Sequence, residues 1–422
     1  MAFRLPGSGG LSVSQEMREI LGQPGFLSIG RGGQKLRQLY SFHSRSFKST
    51  LLTRFGLACY LGELDSVKKD VQAGSAPDLT SWETAFQFGY ATLVVAGAQR
   101  AERLDGQPMY HADVLKFLLS SGAPPDVPDI VGSTALHHAT MNDNARVDLA
   151  RILLQNGANV NHQDRYGCVP LLGCFQSNQV EAVELLMEFG ADVNIPDADG
   201  IVPNNFLLRC GPQVTAAVQK WLRKRSGVEA PMEEKKCDNC GKQPLGKDVK
   251  LKMCSACRTT WYCSTQCQRQ HWKSHKPNCR PFSQSTTVTL IPTYYEHGTL
   301  TPMADFMRNM TGVTSTAPKF TSTAPPKPSL SNKAMVIKVQ VPWSLVGGTP
   351  VNSPETPLLI YNKKRDFVCS VFRSSNPAAY DQIQDVVRKR GVGGAKGYFP
   401  AELENPGKLV VKVDQILAEQ PF

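Results

Sequence analysis

The chain has 422 residues, enough for two or three domains, and its hydrophobic (41%) and charged (20%) fractions are ordinary for a folded protein. No apolar run approaches the roughly 18 residues that a membrane-spanning helix needs, so we expect no membrane association. The formal net charge of +11 favours acidic partners or nucleic acid, and its distribution along the chain decides between them.

The first segment, residues 1–49, is basic and rich in Gly and Ser, which predicts a flexible leader. Within it, Ser14 is placed to cap a short helix that ends near Leu21. A mitochondrial presequence is the alternative, but Glu16 and Glu19 fit one poorly because such presequences contain few acidic residues.

An internal repeat occupies residues 50–228. Gly157-Ala-Asn-Val-Asn161 recurs 33 residues later as Gly190-Ala-Asp-Val-Asn194, and Gly132-Ser-Thr-Ala-Leu-His-His-Ala139 stands 35 residues before a related segment at Gly167. The pattern resembles the ankyrin repeat. That resemblance implies an α-solenoid of helix pairs, whose turns and first helices bind a partner protein. About five units are expected, with atypical ends at 50–81 and 200–228, because a terminal repeat exposes one face.

The residues of the best repeat support this interpretation. Thr134 stands where a first helix begins and can cap it. His137 is expected to hydrogen-bond to Thr134 rather than to act in catalysis. Gly157 follows the second helix, where the chain must turn through a left-handed conformation that glycine adopts freely.

Eight soft metal donors fall within the next 43 residues. They are Cys237, Cys240, Cys254, Cys257, Cys263, Cys267, His275 and Cys279. Because zinc prefers four such donors in a tetrahedron, they predict two closed Zn²⁺ sites with no position left for a reacting water. A disulfide knot is the alternative, but no signal-peptide pattern precedes it and the other five cysteines are scattered.

This spacing is similar to that of the MYND-type zinc finger, including Tyr262 just before the fifth cysteine. The resemblance implies a cross-brace. In it, one zinc ion takes Cys237, Cys240, Cys263 and Cys267, and the other takes Cys254, Cys257, His275 and Cys279. It also implies that short Pro-rich peptides bind at Ser255, Gln268 and Trp272, with the Trp ring stacking on proline.

The positive charge of the finger does not by itself indicate nucleic acid. Residues 235–280 hold 11 Lys or Arg and two Asp. Seven thiolates and two Zn²⁺ ions bring that local charge down to about +6. The spacing also differs from that of the DNA-reading finger, and no recognition helix is evident. A ubiquitin-ligase accessory role and a transcriptional co-regulator role remain open.

After the finger, residues 281–332 are rich in Ser, Thr and Pro and predict a disordered linker. Residues 334–422 predict a small α+β domain of unknown role. It has a strand at Ile337–Val341, a hairpin around Lys363–Asp366, a helix from Asn376 and a last strand at Leu409–Val413. The Gly391–Gly397 stretch is expected to be a flexible connector.

Together these features predict a multidomain, mainly α protein. It combines an ankyrin array, a two-zinc finger and a C-terminal α+β domain. We expect a non-enzymatic intracellular scaffold, cytoplasmic or nuclear, whose partners are other proteins. Neither a small-molecule substrate nor nucleic acid is expected as a ligand. An enzyme with its activity in residues 334–422 is the competing hypothesis.

Overall fold

The computed structural model of the chain describes residues 7–102, 108–141, 144–228, 230–233, 235–244, 250–295, 298–300, 321–330, 333–342, 351, 356–420 and 422. These residues belong to two compact units, the first running to Leu207 and the second beginning at Leu208. Within the described ranges, no helix has the length and apolar character that crossing a membrane requires.

The first unit is built from helices that pack in pairs. In chain order they are α1 Gln15–Leu21, α2 Gly33–Ser44, α3 Arg54–Leu61, α4 Leu64–Gln72, α5 Tyr90–Arg100, α6 His111–Ser120, α7 Ala135–Thr140, α8 Val147–Gln155, α9 Pro170–Ser177, α10 Val180–Glu188 and α11 Pro203–Phe206. The first helices of the pairs, α3, α5, α7 and α9, pack against one another, and so do the second helices, α4, α6, α8 and α10. Each pair therefore buries its apolar side against the next pair.

The turns between pairs use the glycines that the repeat predicts. Gly157 follows α8 with φ +87°, in the left-handed region. Gly167 has φ +70°, and a Cβ there would come 2.7 Å from the backbone nitrogen of Ala198 in the next turn. Glycine is needed at this second position both for its backbone conformation and for the close approach of neighbouring turns.

The predicted flexible leader is wrong for the part that the structure describes. Residues 15–21 and 33–44 are the helices α1 and α2, which pack against each other. Met17, Leu27 and Leu36 are fully buried. The predicted cap is confirmed, since the Ser14 side chain accepts a hydrogen bond from the Met17 N–H. The composition of the segment suggested disorder, but a few apolar side chains are enough to order it when each of them is buried against neighbouring structure.

The second unit contains a long helix, the finger and a six-stranded sheet. Its helices are α12 Pro212–Ser226, α13 Thr265–His275 and α14 Pro377–Arg390. The sheet strands are β5 Thr287–Leu290, β8 Lys333–Gln340, β9 Leu358–Asn362, β10 Val368–Val371, β11 Lys396–Asn405 and β12 Lys408–Lys412. They lie in the order β10-β9-β8-β11-β12-β5, and every neighbouring pair is antiparallel.

Six short strands lie outside this sheet. They are β1 Trp82–Glu83 and β2 Phe88–Gly89 in the first unit, and β3 Lys252–Met253, β4 Trp261–Tyr262, β6 Thr299–Leu300 and β7 Thr321–Ser322. They pair as two-stranded antiparallel ribbons, β1 with β2, β3 with β4 and β6 with β7, and the second of these ribbons builds the finger.

The predicted C-terminal sheet with one helix is confirmed. α14 packs on β5 and β11, and Ile383 and Val387 of the helix are buried with Ile337, Val339 and Phe399 of the sheet. A second cluster contains Tyr361, Val368 and Tyr398 together with Leu417 and Phe422.

Three predicted boundaries differ from the structure. The predicted linker contributes strand β5 to the sheet and the β6–β7 ribbon, while 296–297, 301–320 and 331–332 lie outside the described residues. The array was predicted to reach residue 228, but α12 belongs to the second unit, where Arg223 forms ion pairs with Glu233 and Glu419. The predicted Gly-rich connector turns tightly and enters β11 at Lys396.

Candidate metal centres

The finger is built from a short hairpin and one helix. β3 and β4 pair antiparallel, Lys252 opposite Tyr262. α13 follows directly, and its N-terminus is capped by Ser264, whose hydroxyl accepts from the Cys267 N–H at 3.1 Å. This cap fixes the first turn of the helix and thereby the position of the sixth donor.

Two tight turns present the Cys-x2-Cys pairs. Gly241 has φ +72° and its N–H donates to the Cys237 carbonyl at 2.8 Å. In the second turn the Arg258 N–H donates to the Cys254 carbonyl at 2.9 Å, and Arg258 itself has φ +58°. Each turn folds the chain back so that two sulfur atoms point to the same side.

The eight predicted donors gather in two groups of four. One group is Cys237, Cys240, Cys263 and Cys267; the other is Cys254, Cys257, His275 and Cys279. Within each group all donor atoms lie within 4.8 Å of one another. The sulfur atoms of Cys240 and Cys263 are 3.7 Å apart, and those of Cys263 and Cys267 are 3.5 Å apart. A tetrahedral Zn–S bond of 2.3 Å requires a separation of about 3.8 Å, so the donor set fits zinc.

The imidazole of His275 is oriented for coordination. Its Nε2 lies 3.7 Å from the Cys257 sulfur, and its Nδ1 lies 3.3 Å from the Thr260 hydroxyl. Burial lowers the pKa of His275, and the nearby His271 adds to that effect. The ring is therefore neutral at pH 7, and its unprotonated Nε2 can coordinate a metal ion. The contact at Nδ1 fixes the orientation of the ring.

The two groups differ in exposure, and each contains a thiol whose pKa hydrogen bonds lower, Cys237 in the first and Cys257 in the second. Cys240 of the first group is exposed, whereas Cys254, Cys257 and His275 of the second are buried. Burial alone would raise the pKa of the Cys237 thiol, but hydrogen bonds from backbone N–H groups, that of Cys263 first, outweigh it and bring the pKa to about 6. A thiolate at neutral pH is the form that binds a metal ion.

The three predicted peptide-binding residues lie on the finger surface. Ser255 follows β3 and is exposed, and Trp272 is 42% exposed. Gln268, four residues before Trp272 on α13, is half-buried and lies on the same side of the helix. Their role in binding a peptide stays a prediction.

The sequence did not predict how the finger joins the sheet domain. Arg258 donates to a carboxylate oxygen of Glu402 on β11 at 2.6 Å, and its guanidinium lies 4.4 Å from the ring centre of Phe282. The Phe282 N–H donates to the Ala256 carbonyl at 3.1 Å. The second Cys-x2-Cys turn is thus tied to the sheet. No local pattern marks this contact, because its partners are far apart in sequence.

A buried amine lies in the domain where the competing hypothesis would place catalysis. The Lys338 Nζ donates to the Phe422 carbonyl at 2.7 Å and lies 5.3 and 5.7 Å from the ring centres of Tyr361 and Tyr398. Burial lowers its pKa to about 6, with Lys396 and Arg365 adding to the effect. The residue is 1% exposed, so in this conformation it ties β8 to residue 422 and does not face solvent.

The remaining cysteines behave as small hydrophobic residues. Cys59, Cys174, Cys210 and Cys369 are buried, and none of the 12 cysteines, all of which the structure describes, forms a disulfide. Burial raises the pKa of Cys174 to about 12, so its thiol is not ionised at neutral pH.

The structure has paired helices, and after them two four-donor groups on a short hairpin and helix. These features define a repeat protein that carries a two-site zinc finger. Comparison with known families agrees: residues 108–197 match the ankyrin repeats in three copies, and residues 237–279 match the MYND finger. The chain therefore contains ankyrin repeats and a MYND zinc finger, and the finger fits two zinc ions.

Similar curated proteins match in the finger alone. The chain is 39% identical over 51 residues to the histone-lysine N-methyltransferase ASHR1 of Arabidopsis thaliana. It is 44% identical over 55 residues to Tudor domain-containing protein 1 of Mus musculus, and 43% over 57 residues to Deformed epidermal autoregulatory factor 1 of Drosophila melanogaster. These matches cover 12–14% of this chain and 10%, 4% and 9% of the relatives.

Proposed function

We propose that the protein is a non-enzymatic, intracellular scaffold in which the finger captures Pro-rich peptides of partner proteins. The observation that carries the proposal is that Trp272 and Ser255 are both exposed on a segment whose eight metal donors gather in two groups of four. Two closed four-donor zinc sites support a binding role and not zinc catalysis, since neither site leaves a position for substrate or water.

The two zinc ions would link the finger as a cross-brace, because the two donor groups alternate along the chain: the Cys263 and Cys267 pair of the first group stands between the two halves of the second. Zinc binding contributes on the order of 10 kcal/mol to the folding of small finger peptides. That is enough to order a segment with few apolar residues of its own. The surface around α13 is then available to a ligand without a large loss of conformational entropy on binding.

The peptide would lie beside the finger hairpin as an added strand. In the β3–β4 ribbon the outer edge of β4 is occupied at Trp261, whose N–H and carbonyl are hydrogen-bonded to Asp238, so the peptide would add beside β3. An extended peptide can hydrogen-bond along such an edge while proline rings stack on the Trp272 indole. Ser255 and Gln268 would hydrogen-bond to the main chain of the peptide.

Intracellular placement is supported by the cysteines. None of the 12 cysteines that the structure describes forms a disulfide, and seven of them belong to the donor groups. Thiolate zinc sites and unpaired thiols persist in a reducing compartment. The ankyrin repeats are proposed as a second protein-binding surface of the scaffold, as such arrays generally mediate protein contacts.

The test uses the full chain and fluorescently labelled Pro-rich peptides, with each proline replaced by alanine in the control peptide. Trp272→Ala should keep two zinc ions per chain and lose at least about tenfold in affinity, which corresponds to about 1.4 kcal/mol. Trp82→Ala, which removes a 53% exposed Trp from the other unit, serves as the matched control and should bind normally. Equal affinity of the Trp272→Ala variant and the wild type would contradict peptide binding at this site.

A further inference from the structure

The segment from Gly9 to Lys48 leaves the repeat array and returns to it, and we call it the strap. Its two ends are joined, since the Lys48 N–H donates to the Gly9 carbonyl at 2.8 Å. Between them, α1 leads outward and α2 leads back. The strap runs along the turns that connect successive helix pairs, namely residues 84–87, 129–133, 164–168 and 197–201, which we call the turn edge.

The outward leg contacts the last two turns through hydrogen bonds. The Leu27 N–H donates to the Arg165 carbonyl at 2.7 Å, and the Arg165 guanidinium donates to the Leu21 carbonyl at 3.2 Å. The Ile29 N–H donates to a carboxylate oxygen of Asp199 at 2.9 Å. This leg therefore recognises the turn edge largely by main-chain groups.

The return leg contacts the middle turns through two side chains. The Arg37 guanidinium lies 4.1 Å from the ring centre of Tyr166, and the Tyr40 hydroxyl donates to the buried Asp129 carboxylate at 2.7 Å. The Tyr40 ring also stacks on Phe86, with ring centres 4.7 Å apart. Arg37 and Tyr40 are three residues apart on α2 and so project from the same side of the helix.

The charges of the two surfaces are complementary. The strap holds six Lys or Arg and two Glu, whereas the four turns hold four Asp and one Arg. Two of those carboxylates, Asp129 and Asp164, are buried. An acidic edge of this kind selects a basic ligand and disfavours an acidic one.

The strap also has an apolar core of its own. α1 packs against α2, Ile20 lies against the turn at Gly32, and Leu36 is fully buried. The helix pairs of the array pack against one another independently of this core. Separation of the strap from the array would leave the α1–α2 packing and the packing of the helix pairs in place. It would break the polar and ring contacts described above, and also those of Phe47, whose ring centre lies 5.4 Å from that of Tyr60 and 6.5 Å from that of Phe88.

We propose that the turn edge is a binding surface for a basic helical segment and that the strap occupies it as an intramolecular ligand. A partner protein binds the turn edge by displacing the strap. It must place a guanidinium on Tyr166 and a hydrogen-bond donor at Asp129. This proposal is independent of the peptide site proposed on the finger, because it concerns a different surface.

The experiment uses the full chain with the double substitution Arg37→Ala and Tyr40→Phe, and Arg45→Ala as a control that removes an exposed charge from the same segment. Hydrogen exchange should become at least tenfold faster in α1, α2 and residues 164–168 of the double variant, with exchange in α7–α10 unchanged. A labelled synthetic peptide of residues 9–48 should bind the double variant at least tenfold more tightly than wild type or the control.

Two results would overturn the proposal. If exchange in the strap and in α7–α10 accelerates together, the strap is an integral part of the array and not an exchangeable ligand. If the double variant binds the peptide no better than wild type, the turn edge is not a surface that recognises this segment.

Discussion

Acidification should destabilise the first unit through one buried imidazole. His137 is 2% exposed, its Nδ1 lies 3.2 Å from the Thr134 nitrogen and its Nε2 lies 3.1 Å from the Cys168 carbonyl oxygen. Burial lowers the pKa of His137 to about 4, with His162 and His138 adding to the effect. The neutral ring accepts from Thr134 and donates to Cys168, which confirms the predicted capping role and leaves no place for a second ring proton.

The direction of the pH effect on stability follows from the protonation of His137 in the folded and unfolded states. In the unfolded chain this imidazole titrates near pH 6.5. Between pH 6.5 and 4 the unfolded state therefore binds a proton that the folded state does not bind. The stabilising contribution is complete above pH 6.5 and is lost as the pH falls towards 4. With these pKa values, the free energy of unfolding should decrease by about 2 kcal/mol between pH 7 and pH 5.

The assay compares wild type with His137→Asn by native-state hydrogen exchange of the α7 amides, which reports on the first unit alone. Asn retains an acceptor for the Thr134 N–H but loses the bond to Cys168, which costs about 1 kcal/mol at either pH. Other groups, such as Asp164, whose pKa burial raises to about 7, titrate in both proteins. Wild type should lose about 2 kcal/mol more than the variant between pH 7 and 5; the same loss in both would refute the reasoning.

The finger supplies two further predictions. Glu402→Gln removes the charged partner of Arg258 and should speed hydrogen exchange in the β3–β4 hairpin by roughly 10-fold, because a hydrogen bond to a charged group contributes about 1.5 kcal/mol or more. Unchanged exchange would show that the contact does not tie the finger to the sheet. Cys263→Ser should lower the zinc content, measured by plasma mass spectrometry, to at most one ion per chain, whereas the half-buried non-ligand Cys168→Ser should retain two. Two ions in the Cys263→Ser protein would contradict the donor set.

The metal donors were predictable because coordination chemistry fixes donor type and spacing within a short segment. Their division into two groups was not predictable from spacing and came from the family resemblance, which the structure bears out for all eight residues. The repeat was predictable for the same reason, since each helix pair carries its own local signature, such as Thr134 before α7 and Gly157 after α8.

Elements that depend on distant partners escaped prediction. The order of the strap comes from contacts such as Arg37 on Tyr166, more than a hundred residues away in the chain. β5 is only four residues long, with Val288 and Leu290 alternating with Thr in a segment dominated by Ser, Thr and Pro. β11 follows a Gly-rich run and contains Pro400 opposite Val336, although proline ordinarily argues against an interior strand.

The measurement that bears most directly on the account is the metal content of the full chain, purified under reducing conditions from zinc-replete cells. Two tightly held zinc ions per chain are expected, together with loss of the β3–β4 hairpin's exchange protection when a chelator removes them. A chain that carries no zinc, or a hairpin that stays protected after both ions are removed, would contradict the central claim that two metal sites hold the binding surface in place.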